Sequence, residues 1–221
     1  MSSVPRATVR DALSVSLTVG AYGVAFGAAG VAAGFSVLQT SLFSLLTFTG
    51  ASQFAAVGVV AAGGAPASAI GAAVLLGTRN ALYGLQMAPL VRARGARRWV
   101  AAHVTIDEST GVALSQAPRG VDAMRAGFWL TGGSVYLFWN LFTLLGAFGA
   151  QALGSPASWG LDAAVPAAFL GLLWPRLENG FLRWVAVAAM SFATLMTPLL
   201  PAGLEIVATV LVAVVVGWRP R

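Results

Sequence analysis

ALSVSLTVGAYGVAFGAAGVAAGFSVLQTSLFSLLTFTGASQFAAVGVVAAGGAPASAIGAAVLLGT, residues 12–78, holds no Asp, Glu, Lys or Arg in 67 positions. A soluble fold needs a charged exterior, and a stretch this long without one cannot supply both surface and core. It reads as several segments dissolved in lipid, each needing roughly 20 apolar residues to cross the hydrocarbon. Charge returns as Arg79 beside Asn80, inside another apolar run. A charge placed there costs roughly 2.5–3.5 kcal/mol on insertion scales, which makes Arg79 a candidate site residue.

The rest of the chain agrees. It is 58% hydrophobic and 9% charged, with mean hydropathy +0.82. The expected fold is all-α, a polytopic transmembrane bundle of about six or seven membrane segments in one domain over residues 1–221. Cysteine is absent, which excludes disulfides and cysteine metal sites. The net charge of +6 comes from 13 Arg and no Lys. In a chain this apolar it reads as positive-inside bias, with membrane lipid rather than nucleic acid as the partner. The first apolar run is too long and too glycine-rich for a signal peptide and is expected to stay as a helix.

Leu13–Gly34 reads as the first span, with Gly23, Gly27, Gly30 and Gly34 at spacings that let another helix approach closely. Val37–Ala62 is interrupted by Thr49-Gly50-Ala51-Ser52-Gln53, which predicts a break. Membranes tolerate such breaks around a cavity or under protein cover. Ala67–Val91 follows a Gly63-Gly64-Ala65-Pro66 turn and carries Arg79, Asn80 and Tyr83. After the basic loop Arg92–Arg98, Val100–Gln116 reads as one polar helical segment with His103, Asp107 and Glu108. Gly127–Gly149, a short Leu161–Trp174, Phe181–Leu199 and Gly203–Trp218 complete the chain.

Placing every Arg except Arg79 on the cytoplasmic side requires an even number of crossings before Arg92, although three apolar stretches precede it. Either Val37–Ala62 enters and leaves on one side, folded at Gly50, or it crosses fully and Val100–Gln116 brings the chain back. Both arrangements leave both termini cytoplasmic. The order of spans and interruptions also suggests repeat halves at 12–116 and 121–221, as many transporters have.

No nucleophile, phosphate-loop or metal motif occurs, so an enzyme is not expected. His103 and Asp107 are four apart and would share a helix face, but one pair does not make a metal site. Neither a metal nor another cofactor is expected. Arg79 has two readings: a forked clamp on a substrate carboxylate, or a pin to Asp107, Glu108 or a carbonyl. Ser52 and Gln53 offer polar groups beside the Gly50 break, for substrate or for helix–helix hydrogen bonds. Asp107 and Glu108 are either proton-coupling carboxylates or ordinary solvated ones. Asp162 and Pro166 open the short span, as a helix-break or gating element or as a plain cap.

TGASQFAAVG at Thr49–Gly58, TRNALYGLQMAPL at Thr78–Leu90, HVTIDES at His103–Ser109 and WGLDAAVPAAFLGLL at Trp159–Leu173 together resemble the AzlC family. This is the large subunit of branched-chain amino acid permeases. The resemblance covers most of the chain. It implies a transporter in the bacterial inner membrane that exports branched-chain amino acids or analogues, often with a small AzlD-like partner subunit. Carried over by position, the motif residues are Gly50, Ser52, Gln53, Arg79, Asn80, Tyr83, Asp107, Glu108, Asp162 and Pro166. Many relatives have His where this chain has Asn80, which removes a proton role from that position. The expected mechanism is alternating access, with Gly50, Ser52, Gln53, Arg79, Asn80 and Tyr83 at the substrate and Asp107 or Glu108 coupling protons. A channel for a small neutral solute and a noncatalytic scaffold subunit are the competing classes.

Overall fold

The computed structural model describes residues 4–154, 177–201 and 204–218, with positions 167, 170, 171, 173 and 174 between them. The described residues form helices and no strand. They are α1 (Arg6–Ala32), α2 (Val37–Leu46), α3 (Ala51–Ala61), α4 (Pro66–Val91), α5 (Arg97–His103), α6 (Asp107–Ser115), α7 (Val121–Ala152), α8 (Gly180–Met196), α9 (Leu204–Ala208) and α10 (Val210–Gly217). A 3-10 turn, Ala117–Arg119, joins α6 to α7.

α1 and α7 form the spine. They run parallel, since residue numbers rise together along the seam: Ser16 meets Ser134 at 2.7 Å, Gly20 faces Phe138, and Gly23 faces Trp139. A Cβ on Gly23 would stand 2.5 Å from Trp139 O. Gly27 abuts Thr143 O and Gly146 abuts Val24 O in the same way. The predicted close approach is therefore made at Gly23 and Gly27, and Gly30 packs on Thr40 of α2. Gly34 lies past the end of α1, in a turn at φ +91.

The stretch 37–62 is broken where the sequence predicts. α2 starts beside the end of α1, where Phe35 N donates to Gly30 O at 3.0 Å. It ends at Leu46, and Phe48 and Gly50 just beyond it share a cavity with Val19 and Tyr22 halfway along α1. Gly50 takes φ +60, a conformation that other residues adopt with strain. α3 then climbs back toward the Ala32 end, packing antiparallel on α4. Ser52 lies against Gly77, and Val59 packs with Ala69 and Ala72. The segment is a hairpin whose two arms lie toward the same end of α1.

The stretch 100–116 differs from expectation. It is not one helix but a second hairpin, broken at 104–106. α5 rises from the basic loop, where Arg97 lies over the Trp129 ring, to His103 at the level of α2's end. α6 starts at Asp107 and descends to Gln116, whose amide meets Thr8 (2.8 Å) and Asp11 (3.2 Å) near the start of α1. His103 and Asp107 thus stand on different helices, not on one face. Between the hairpins α4 runs antiparallel to α1, from the turn after α3 to Met87, which packs with Phe128 near the start of α7. This places the Arg92–Arg98 loop at the same end as Arg6, Arg10, Arg119 and Arg125.

Among the described residues two helices, α1 and α7, are long and apolar enough to cross a membrane by length and composition. α2 and α3 are half-length helices, α8 has 17 residues, and α4, 26 residues long, carries Arg79 and Asn80 at its centre. Residues 204–218 likewise hold two short helices, α9 and α10, separated at Thr209. Most of Leu161–Trp174, with Asp162 and Pro166, lies outside the described residues.

Candidate functional site

A broken helix leaves orphan carbonyls on one side of the break and orphan amides on the other. At the first break Gln53 supplies both partners. Its Oε1 accepts from Gly50 N at 3.1 Å, and its Nε2 donates to Phe43 O (3.4 Å) and Ser44 O (3.3 Å). At the second break Ser109 does the same with a hydroxyl, accepting from Ile106 N at 3.0 Å and donating to Val104 O at 2.7 Å. Both residues are fully buried, and both occupy the third position of the outgoing half-helix.

The two tips meet halfway along α1 and enclose a cavity of about 110 Å³. Thr49, Gly50 and Ala51 come from the first tip, Ile106, Asp107 and Glu108 from the second, and Arg79 from α4. Val19, Tyr22, Phe48, Phe54, Val135 and Trp139 form the remaining wall. α3 and α6 both begin at this cavity, so their first-turn amides and positive dipole ends are directed to it. Arg79 Nε donates to Asp107 Oδ1 at 3.1 Å, with both side chains partly exposed. Of the two sequence readings of Arg79, the pin to a carboxylate is realised, and it is realised at a cavity. Thr49 Oγ1 and Trp139 Nε1 are buried without a hydrogen-bond partner among the described residues, and both residues line the cavity. A buried polar atom left unpaired costs roughly 1–3 kcal/mol, so a ligand that pairs them gains affinity.

The family model that matches this chain is described as AzlC protein and covers residues 14–153, well over half of the 221 residues. The chain belongs to the AzlC family. It is therefore a membrane protein of a transporter family, helical over its described residues, and the matched region contains both hairpins, most of the spine and the whole cavity. No curated protein and no solved structure matches the chain.

Within this AzlC chain the structure brings together four of the sequence candidates, Gly50, Arg79, Asp107 and Glu108. Ser52, Gln53, Asn80 and Tyr83 are not among the lining residues. Ser52 faces α4 at Gly77, and its Oγ is buried without a partner among the described residues, as is Asn80 Oδ1. The amide of Gln53 is engaged by backbone on both sides of the break. Asp162 and Pro166 lie outside the described residues. No three His, Cys, Asp or Glu come together among the described residues in a way that would hold a metal.

Sequence reasoning missed Ser109 and the aromatic wall of Phe48, Phe54 and Trp139. Ser109 had a signal. Asp107-Glu108 is the acidic pair favoured in the first turn of a helix, which points to a helix start at that place.

Proposed function

We propose that the chain is a secondary transporter that exports branched-chain amino acids or close analogues across the bacterial cytoplasmic membrane. In this reading it is proton-coupled, works with a small AzlD-like membrane subunit, and has both termini in the cytoplasm. The supporting observation is one cavity that offers both charges of a zwitterion beneath an apolar wall. Arg79 and the first turns of α3 and α6 suit a carboxylate. Asp107 and Glu108 suit an ammonium group. Phe48, Phe54, Ile106, Val135 and Trp139 suit an aliphatic side chain. A bound amino acid exchanges partners with the Arg79–Asp107 pair, so neither charge is stranded. Glu108 is then the carboxylate to which we assign proton coupling, because protonating Asp107 would break that pair.

The basic end, with Arg6, Arg10, Arg92–Arg98, Arg119 and Arg125, faces the cytoplasm in this scheme. α1, α4 and α7 cross, and the hairpins enter from opposite faces to meet at mid-depth, the arrangement of broken helices that transporters use for solutes.

The test is flux of labelled valine, leucine, isoleucine and methionine into proteoliposomes, with and without the small subunit and with and without a pH gradient. Saturable, gradient-dependent movement is expected. Saturable movement indifferent to the gradient removes the coupling, and non-saturating flux selects a channel. No movement by protein shown to be folded, even with the subunit, ends the branched-chain reading.

A further inference from the structure

We infer that His103 is the latch between the two hairpins, and that its contact with Leu45 must open for a solute to pass between the central cavity and the basic face. The inference rests on the transport reading above. His103 Nε2 lies 3.1 Å from Leu45 O, a last-turn carbonyl of α2 that has no amide of its own helix to meet. A carbonyl only accepts, so this nitrogen carries the proton. Tyr136 OH of α7 reaches the same oxygen at 3.4 Å. The imidazole also packs on Phe48 and Tyr136, with ring centroids 5.9 and 5.4 Å apart. Gln53 and Ser109 each close a break within their own hairpin. His103 instead ties the rising arm of one hairpin to the descending arm of the other.

The latch stands where two cavities nearly meet. The second cavity, about 160 Å³, lies between α4, α5 and α7 and is lined by Met87, Arg98, Ala101, Thr105 and Phe128. It starts at the basic loop with Arg98 and ends at Thr105, while the next residue, Ile106, lines the central cavity. The tip 104–106 therefore has one cavity on each side. Drawing it away from Leu45 joins the two into a path from the basic face, and His103 is the side chain that resists this movement.

The chain has no cysteine, so a single introduced thiol reports alone. Ala51→Cys puts that thiol on the central cavity. Its labelling rate is measured in vesicles with a membrane-impermeant thiol reagent on the basic face. In that background His103→Ala is expected to speed labelling about fivefold, the factor set by one lost hydrogen bond. His103→Gln, whose amide nitrogen can still donate, restores the parent rate. Tyr136→Phe removes the second donor without touching α5, speeds labelling less, and keeps the test open where His103→Ala does not fold. Equal rates in the parent and the folded variants overturn the latch, as does a rise that His103→Gln fails to reverse. Faster labelling of His103→Ala and its reversal by His103→Gln, in a parent that moves no amino acid, support the latch while removing the transport reading. Flux in the parent with labelling unmoved removes the latch alone.

Discussion

The two hairpins solve one problem with different side chains. In the first, a primary amide reaches across the break and meets an amide hydrogen and two carbonyls. In the second, a hydroxyl with a single hydrogen does so over a shorter tip. The first tip is built from uncharged residues, Thr49, Gly50 and Ala51, and the second adds Asp107 and Glu108. The first hairpin thus contributes backbone dipole to the cavity and the second contributes titratable charge. A site for a zwitterion needs both, which neither hairpin supplies alone.

That division is open to attack by substitution. The largest expected effect is Gln53→Ala. It strands Gly50 N and Ser44 O at roughly 1–3 kcal/mol each, while Phe43 O keeps its bonds from Thr47, and it empties the volume of a fully buried side chain, so most of the protein should fail to purify as a single folded species. A melting temperature in detergent close to the parent's would show that Gln53 does not hold the break. Next is Arg79→Ala, which removes the cation paired with Asp107. The expected loss is about 1–3 kcal/mol, below that of a fully buried pair because the side chains are 29% and 22% exposed. Pairing it with Asp107→Leu should recover stability without recovering flux, and recovered flux would make the ion pair merely structural. Ser109→Ala should cost about 1–2 kcal/mol, less than Gln53→Ala because a much smaller buried side chain is lost beside the two orphaned backbone groups. Equal losses at the two positions would erase the contrast between amide and hydroxyl. The smallest stability effect is expected for Glu108→Gln, within about 0.5 kcal/mol. Its flux should persist but ignore the pH gradient, and retained gradient dependence would move the coupling elsewhere.

Much of this was readable from the chain, for identifiable reasons. The break at Gly50 shows because small and polar residues interrupt an apolar run, and glycine there permits the positive φ that the turn requires. The pairing of Arg79 with an acid is readable because a cation in an apolar run needs a counter-charge. The break at 104–106 hid because Val104, Thr105 and Ile106 include neither Gly nor Pro, the residues that usually mark one. What closes the break there is a side-chain bond from Ser109, a hydroxyl rather than a backbone-breaking residue. Fold-backs escape composition in the same way, since composition counts apolar residues and cannot tell a crossing from a return. The roles of Gln53 and Ser52 were open because a polar side chain near a break serves ligand or backbone equally well until the helices are placed.

The seam between α1 and α7 bears on where motion can occur. At Gly23, Gly27 and Gly146 main chain rests against main chain, with no side chain interposed to rotate or yield. Helices joined in this way behave as one beam: a push at one end is passed along rather than absorbed. Any change of shape that admits a solute is thereby thrown onto the two hairpins, each of them half a helix long and closed at its tip by a single residue.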